Sequence, residues 1–90
     1  MPEFDWDDAN LEHIAKHGFD DFECEELFED SYLLATAAYN SGSEKRQGFI
    51  GKTAGGRISF IVYTVRKGKV RVVSVGDAST AQKRTYRRNR

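Results

Sequence analysis

Residues 57–66, RISFIVYTVR, are the stretch that decides the fold. Apolar residues occupy both alternating sets of positions in this stretch. They are Ile58, Phe60 and Val62 on one side, and Ile61, Tyr63 and Val65 on the other. Since successive side chains of a strand point to opposite faces, this strand has two apolar faces, and it is predicted to lie at the centre of an antiparallel sheet.

Further strands are predicted on both sides of this one. Lys67-Gly68 is typical of a tight hairpin turn, and residues 70–75 are predicted to form the next strand. Upstream, residues 46–53 predict a second strand, which is joined to the central one through the turn at 54–56. Residues 32–39 are rich in alanine and predict a weaker strand.

Two helices are predicted before the sheet. Leu11, Ile14 and Ala15 form an apolar stripe with helical spacing, and Gly18 is expected to end this helix in a left-handed conformation, with Phe19 folded back onto it. A second helix is predicted from residue 20 or 21 to about residue 30. Its stripe is Cys24, Leu27 and Phe28.

The two ends of the chain carry further signals. Phe4 and Trp6 alternate with acids, which predicts a short opening strand or an extended arm. Ser79 and Gln82 have the spacing of a capping box, which predicts a final helix over residues 80–88. The predicted order is therefore β-α-α-β-β-β-β-α, an α+β fold with helices packed on an antiparallel sheet.

Length and composition limit the class of protein. Ninety residues are expected to form a single domain, residues 1–90, with one core. The single cysteine, Cys24, cannot form an internal disulfide, which favours a reducing compartment. The first residues lack the features of a signal peptide, and the apolar stretches are too short to cross a membrane. We therefore expect a cytoplasmic protein without a membrane partner.

Charge is divided sharply along a chain of zero formal net charge. Residues 1–30 hold twelve acids and one base, a net charge of −11, whereas residues 31–90 hold thirteen bases and two acids, a net charge of +11. Clustered lysine and arginine side chains can neutralise phosphates, which favours contact with nucleic acid. The alternative is that the two oppositely charged parts attract each other within the fold.

An ordered set of short motifs runs along the chain. The first part reads FDWD at 4–7 and NLEHIAKHG at 10–18. The later part comprises FED at 28–30, residues 46–51, VYTVR at 62–66, VRVVS at 70–74, and Ala78 before a helix with Arg84 and Tyr86. This set resembles the BrnT family of bacterial toxins, which typically opens with F-x-W-D and continues with a helix that ends in N-x-x-K-H-G.

The resemblance implies a fold like that of the RelE toxins and ribonuclease activity on RNA. It also implies a ribbon-helix-helix antitoxin, BrnA, as partner, with operator DNA bound only through the antitoxin complex. One departure concerns the end of the last strand, where the family usually has an arginine followed by a second base. This chain has Gly76 and Asp77 there. The chain is therefore either an active nuclease or a catalytically weak or inactive homologue that binds the antitoxin and acts in autorepression.

Metal-independent RNA cleavage needs groups that stabilise charge on phosphorus and groups that transfer protons. The sequence has no Asp/His cluster with recognisable metal-ligand spacing, so no metal or cofactor is expected. Arginine suits charge stabilisation, because its planar fork pairs two phosphate oxygens. The resemblance implies Arg46 and Arg66, which match family positions, as the first candidates for the catalytic site; Arg71 and Tyr86 are the further candidates. The candidates for non-specific RNA contact are Lys45, Lys83, Arg84, Arg87 and Arg88, with Arg90 at the same helix end.

Some chemistry-bearing side chains have competing structural interpretations. His13 and His17 are spaced i, i+4, as in some zinc sites, but a structural role at the helix C-terminus is favoured. Cys24 is expected in the core, since it lies on an apolar stripe. Tyr86 is interpreted either as a proton donor or as a packing anchor on the sheet.

Overall fold

A central antiparallel sheet, flanked by helices, organises the computed structural model, which describes residues 2–89. The helices are α1 Asp8–Lys16, α2 Asp21–Glu29 and α3 Thr80–Arg88. The strands are β1 Leu34–Ala35, β2 Tyr39–Ser41, β3 Glu44–Lys52, β4 Ile58–Arg66 and β5 Lys69–Asp77. The prediction of an α+β fold with two N-terminal helices, an antiparallel sheet and a C-terminal helix is confirmed.

The strands follow the order β1-β3-β4-β5, and β2 also pairs with β3. β4 therefore lies between two long neighbours, as its two apolar faces predicted. The β4–β5 hairpin turns at Lys67 and Gly68, where φ is 52° and 77°. Positive φ at both turn residues matches the right-handed twist of the paired strands, so the predicted tight hairpin is confirmed.

Two predictions about the strands are wrong in detail. The predicted strand at 32–39 is divided into β1 and β2. Ala35 and Tyr39 are four residues apart, whereas their partners Phe49 and Arg46 are three apart. The extra residue interrupts the ladder as a bulge does. In addition, β3 begins two residues earlier than the predicted Arg46, at Glu44.

The opening of the chain is an extended arm, and the observed order begins with two helices. Phe4 makes an isolated parallel bridge to Val70. The N–H of Asp5 donates to the Val70 carbonyl, and the N–H of Val70 donates to the Glu3 carbonyl, each at 2.8 Å. Pairing extends no further because the N-cap of α1 follows at once, at Asp7. The prediction of an initial strand is therefore wrong, and the alternative, an extended arm, describes this segment.

The helix ends follow their local sequence signals. Ser79 and Gln82 form the predicted capping box of α3. At the end of α1, Gly18 has φ of 78°, and the N–H groups of Gly18 and Phe19 donate to the carbonyls of Ala15 and Ile14. This is the expected left-handed termination, and Phe19 is buried behind it.

The core lies on both faces of the sheet. One cluster joins α1 and α2 to one face through Ile14, Phe19, Cys24, Leu27, Phe49, Ile61, Val72 and Val75. The other cluster lies beneath α3 and comprises Ile50, Ile58, Ala78 and Tyr86, with Leu34 and Phe60 against it. Packing of the two N-terminal helices on one face is therefore confirmed, and α3 covers part of the opposite face.

The acidic first third of the chain makes ion pairs with the basic remainder. Arg57 contacts Glu23, Lys69 contacts Glu3, and Arg71 contacts both Asp5 and Asp7. Attraction between the two oppositely charged parts is thus part of the fold. None of the helices within residues 2–89 is long and apolar enough to cross a membrane.

Candidate functional site

Three predicted catalytic arginines lie around one small cleft. Arg46 comes from β3, Arg66 from the end of β4, and Arg71 from β5. The cleft has a volume of about 250 Å³, and we call it the arginine cleft. Its lining residues are Ala9, Asn10, His13, Arg46, Arg66, Arg71, Val72 and Val73. Three guanidinium groups at one concavity form an environment suited to an anion.

Glu44 holds two of these arginines. Its Oε2 accepts from Nε and Nη2 of Arg66 at 2.9 and 2.6 Å, and its Oε1 accepts from Nε of Arg46 at 3.3 Å. The hydrogen bonds from Arg66, followed by that from Arg46, keep the pKa of Glu44 below its ordinary value. Tyr39, which pairs with Arg46 across β2 and β3, together with Glu44, raises the pKa of Arg46. Glu44 is therefore a fixed anion that orients both guanidinium groups.

Arg71 is held by the N-terminal arm. Its Nη1 lies 2.9 Å from Oδ2 of Asp7 and 3.5 Å from Oδ2 of Asp5. Hydrogen bonding to Asp7 raises the pKa of Arg71, and the same interaction lowers the pKa of Asp7. The buried Asn10 fixes this arm, because its Nδ2 donates to the Asp5 carbonyl and its Oδ1 accepts from the Asp7 N–H. The side chain of Arg71 is the most enclosed of the three, at 16% exposed.

A bulge shapes the β5 wall of the arginine cleft. Tyr63 pairs with Val72, but the preceding Val62 pairs with Ser74, so Val73 has no partner in the ladder. Bulges of this kind twist a strand and redirect side chains beside functional sites. Next to this wall, Thr64 of β4 lies opposite Arg71. Its hydroxyl donates to the Lys45 carbonyl of β3 at 2.8 Å and so ties the three strands together.

His13 also lines the arginine cleft, and sequence reasoning had favoured a structural role for it. It lies on the exposed side of α1, with its ring 5.2 Å from that of His17. The carbonyls of His17 and Gly18, just after α1, accept from the guanidinium of Arg57. The i, i+3 spacing of Asn10 and His13 is the sequence signal that places both on one face of α1.

The predicted RNA-contact residues lie outside this cleft. Lys45 is exposed on β3, and its partner in the register is Asn40. Lys83, Arg84, Arg87 and Arg88 belong to α3. None of these five is among the described residues that line the arginine cleft. Arg90 lies outside the described residues.

Tyr86 is fully buried beneath α3, at 0% exposed. Its hydroxyl donates to Oδ2 of Asp30 at 2.6 Å, and the same oxygen accepts from the N–H of Lys52 at 2.9 Å. Burial alone raises the pKa of Asp30, but the bonds from Tyr86, Tyr32 N–H and Lys52 N–H outweigh it, so that pKa is lowered. Tyr86 therefore occupies the position of a packing anchor and does not line the arginine cleft.

Gly76 and Asp77, the departure from the family pattern, lie near the other end of β5 from Arg71. Oδ1 of Asp77 accepts from Nε of Arg57 at 2.8 Å. Arg57 also donates to the Gly18 carbonyl, and its guanidinium lies 3.6 Å above the Phe19 ring. Asp77 thus orients an arginine that ties the α1–α2 junction to the sheet, and the arginine cleft contains neither departing residue.

Other chemistry-bearing groups are accounted for by packing. Burial raises the pKa of the Cys24 thiol to about 12, so this cysteine remains protonated in the core. Within residues 2–89, no group of three or more His, Cys, Asp or Glu side chains is placed to hold a metal ion.

Comparison with known families identifies the chain. No curated protein matched it. The family model described as "Ribonuclease toxin, BrnT, of type II toxin-antitoxin system" matches residues 6–82. This span includes every residue that lines the arginine cleft. The chain therefore belongs to the BrnT family of ribonuclease toxins of type II toxin–antitoxin systems.

Proposed function

We propose that this protein is an active endoribonuclease that binds an RNA phosphate in the arginine cleft and cleaves the chain there without a metal. The observation that supports the proposal most directly is the convergence of Arg46, Arg66 and Arg71 on one cleft of about 250 Å³, with His13 on its α1 side. Family membership supplies the reaction class, and the cleft supplies the groups that this reaction requires.

In this mechanism the ribose 2′-oxygen attacks phosphorus, and the bond from phosphorus to the 5′-oxygen breaks. The products are a 2′,3′-cyclic phosphate and a free 5′-hydroxyl. Negative charge grows on the non-bridging oxygens, and guanidinium groups stabilise it through paired N–H donors. Glu44 takes one N–H of Arg46 and two of Arg66, so each guanidinium, with five N–H donors, has donors beyond those bonded to Glu44.

His13 is the proton-transfer group in this proposal. Histidine exchanges protons readily near neutral pH, and His13 lines the cleft beside the three arginines. Glu44 is the competing candidate, but its lowered pKa makes it a weak base at neutral pH. We therefore assign orientation of the arginines to Glu44 and transfer of the 2′-hydroxyl or 5′-oxygen proton to His13.

The remaining cations contribute affinity rather than chemistry. Lys45 and the α3 residues Lys83, Arg84, Arg87 and Arg88 lie outside the cleft and contact RNA phosphates without sequence preference. The partner is a ribbon-helix-helix antitoxin of the BrnA type, operator DNA is bound only through the complex with it, and the protein acts in the cytoplasm. Membership of a type II toxin family supports a cognate antitoxin.

The test is cleavage of a short RNA by the purified protein in EDTA at one fixed salt concentration, since phosphate binding weakens as salt increases. Arg46→Ala, Arg66→Ala and Arg71→Ala should each lower kcat/KM by about 10- to 150-fold, the effect of a lost charge-assisted contact. His13→Ala should lower kcat by about 10²- to 10⁴-fold. Lys16→Ala, which removes an exposed cation of α1 outside the cleft, is the matched control.

The chemical groups at the ends of the RNA products distinguish this mechanism from metal-assisted hydrolysis. Cyclic phosphate ends, together with activity that persists in EDTA, are the expected result. If the wild-type protein leaves RNA intact in this assay and its expression does not arrest growth, the proposal is wrong. The alternative, a silent antitoxin-binding module, then describes the protein.

A further inference from the structure

A second cleft lies in the acidic part of the fold. It has a volume of about 560 Å³, and we call it the acidic cleft. Its lining residues are Glu26, Glu29, Asp30, Ser31, Tyr32, Lys52, Thr53 and Ala54. It shares no lining residue with the arginine cleft. The mechanism proposed above uses none of these side chains, so the acidic cleft is available for another role.

One exposed aromatic residue lines the acidic cleft, and a second belongs to the helix that borders it. Phe22 is 72% exposed on α2, and its i, i+4, i+7 spacing with Glu26 and Glu29 places it on the helical face that borders the cleft. Tyr32 lines the cleft and is 49% exposed. Aromatic residues in or beside a cleft edged with carboxylates have the composition of a protein-binding surface, where aromatic anchors supply affinity and a charged rim supplies specificity.

Charge identifies the kind of occupant. The cleft has three carboxylates, those of Glu26, Glu29 and Asp30, and one cation, Lys52. This excess of negative charge repels phosphate, which disfavours nucleic acid and anionic lipid. The carboxylates favour lysine and arginine side chains, while Phe22 and Tyr32 favour apolar ones. The occupant with both properties is a cationic amphipathic segment of a protein.

A second copy of this chain fits less well. Its cationic helix is α3, but the apolar anchor of that helix, Tyr86, is buried in its own core. The exposed residues of α3 are polar apart from Ala81, so the helix has no large apolar side chain with which to cover Phe22. We infer that the acidic cleft and Phe22 are the docking surface for a cationic amphipathic segment of the cognate antitoxin. This inference rests on the proposed function only in taking the antitoxin as the partner.

The test measures Kd between separately purified toxin variants and the cognate antitoxin. Phe22→Ser removes an exposed aromatic anchor and should raise Kd by about 30-fold or more. Glu29→Lys reverses a charge at an exposed position and should slow association and weaken its dependence on salt. The controls are Val65→Ser, another exposed apolar residue, and Glu12→Lys, an exposed acid of α1. Both lie outside the acidic cleft and should stay within threefold of wild type.

Each outcome has a defined meaning. If Phe22→Ser and Glu29→Lys weaken antitoxin binding and the two control variants do not, the docking surface is supported. Equal Kd values for all variants overturn it and leave the nuclease proposal unaffected. Light scattering that shows a toxin dimer dissociated by Phe22→Ser also overturns it, in favour of a second copy. If wild-type toxin fails to bind the antitoxin, the proposed partner is wrong as well, while RNA cleavage by the same preparation reports separately on the nuclease.

Discussion

Replacing Tyr86 with phenylalanine distinguishes the two roles that the sequence allowed for this residue. The substitution keeps the ring in the core and removes only the hydroxyl that donates to Asp30 at 2.6 Å. A hydrogen bond to a charged group contributes about 1.5–3 kcal/mol to stability. Asp30 is half-buried and keeps its bonds from the N–H groups of Tyr32 and Lys52, which favours the lower part of that range. We expect a loss of about 1.5–2 kcal/mol, or about 6–16 °C in Tm for a domain of this size.

The pH dependence of this loss provides an internal check. The pKa of Asp30 is lower in the folded protein than in the unfolded chain, so its bonds stabilise the fold at neutral pH. That stabilisation disappears as the pH falls through the folded-state pKa of Asp30. The difference in unfolding free energy between wild type and Tyr86→Phe should therefore be largest near neutral pH and shrink in acid.

Chemical unfolding at several pH values, combined with RNA cleavage well below Tm, decides the matter. Tyr63→Phe is the matched control, because the Tyr63 hydroxyl bonds the neutral Gln47 amide at 3.2 Å, and its loss should cost only about 0.5–1.5 kcal/mol. An unchanged turnover rate with lowered stability identifies Tyr86 as a structural anchor. If turnover instead falls by about a hundredfold or more without loss of stability, this reasoning is refuted and Tyr86 is restored as a proton donor.

Four other substitutions test the site and its surroundings. Glu44→Gln removes the carboxylate that holds two arginines of the cleft. RNA that cannot be cleaved should bind more tightly, because a negative charge is lost, whereas kcat should fall, because the arginines are no longer oriented. Binding and single-turnover assays measure the two effects. Gly76→Arg should leave cleavage unchanged, because this position is outside the arginine cleft. Asp77→Asn should lower Tm slightly without altering kcat, since it weakens one of the contacts that hold Arg57. Asp7→Asn keeps a capping residue but loses an ion pair, so its stability should approach that of wild type as the pH falls through the lowered pKa of Asp7.

The sequence allowed prediction of those elements whose signals are local. The centrality of β4 followed from two apolar faces, and the α3 capping box followed from Ser79 and Gln82. The division of the edge strand could not be foreseen, because it depends on one extra residue between Ala35 and Tyr39 relative to their partners on β3. This register depends on both paired segments, so it cannot be predicted from the sequence of either segment alone.

The candidate site was predictable to a similar extent. Arg46 and Arg66 were chosen because they match family positions, and Arg71 was chosen from its place among valines in a strand; all three line one cleft. Their carboxylate partners were not foreseen. Asp7 contacts Arg71 across 64 positions of sequence, a contact that only the tertiary fold creates. The sequence favoured a structural role for His13. Its position beside the cleft could not be foreseen, because it depends on how α1 packs near β5.

Separation of the acidic cleft from the arginine cleft has a consequence for inhibition. The acidic cleft shares no lining residue with the arginine cleft, so direct coverage of the arginines needs a second antitoxin segment in addition to the one that docks at the acidic cleft. The longest extent of the molecule is 34 Å. An extended chain advances about 3.3 Å per residue, so about 10–16 residues are enough to connect the two clefts over a curved surface.

Stepwise truncation of the cognate antitoxin tests this two-segment arrangement. We expect a shortened form that keeps most of the affinity for the toxin but no longer blocks RNA cleavage, because docking and coverage of Arg46, Arg66 and Arg71 are performed by different parts of the partner. Affinity and inhibition should therefore be lost at different truncation points, measured by Kd and by cleavage at saturating antitoxin. If both are lost together at every truncation, one segment performs both tasks, and its binding site must include the arginine cleft itself.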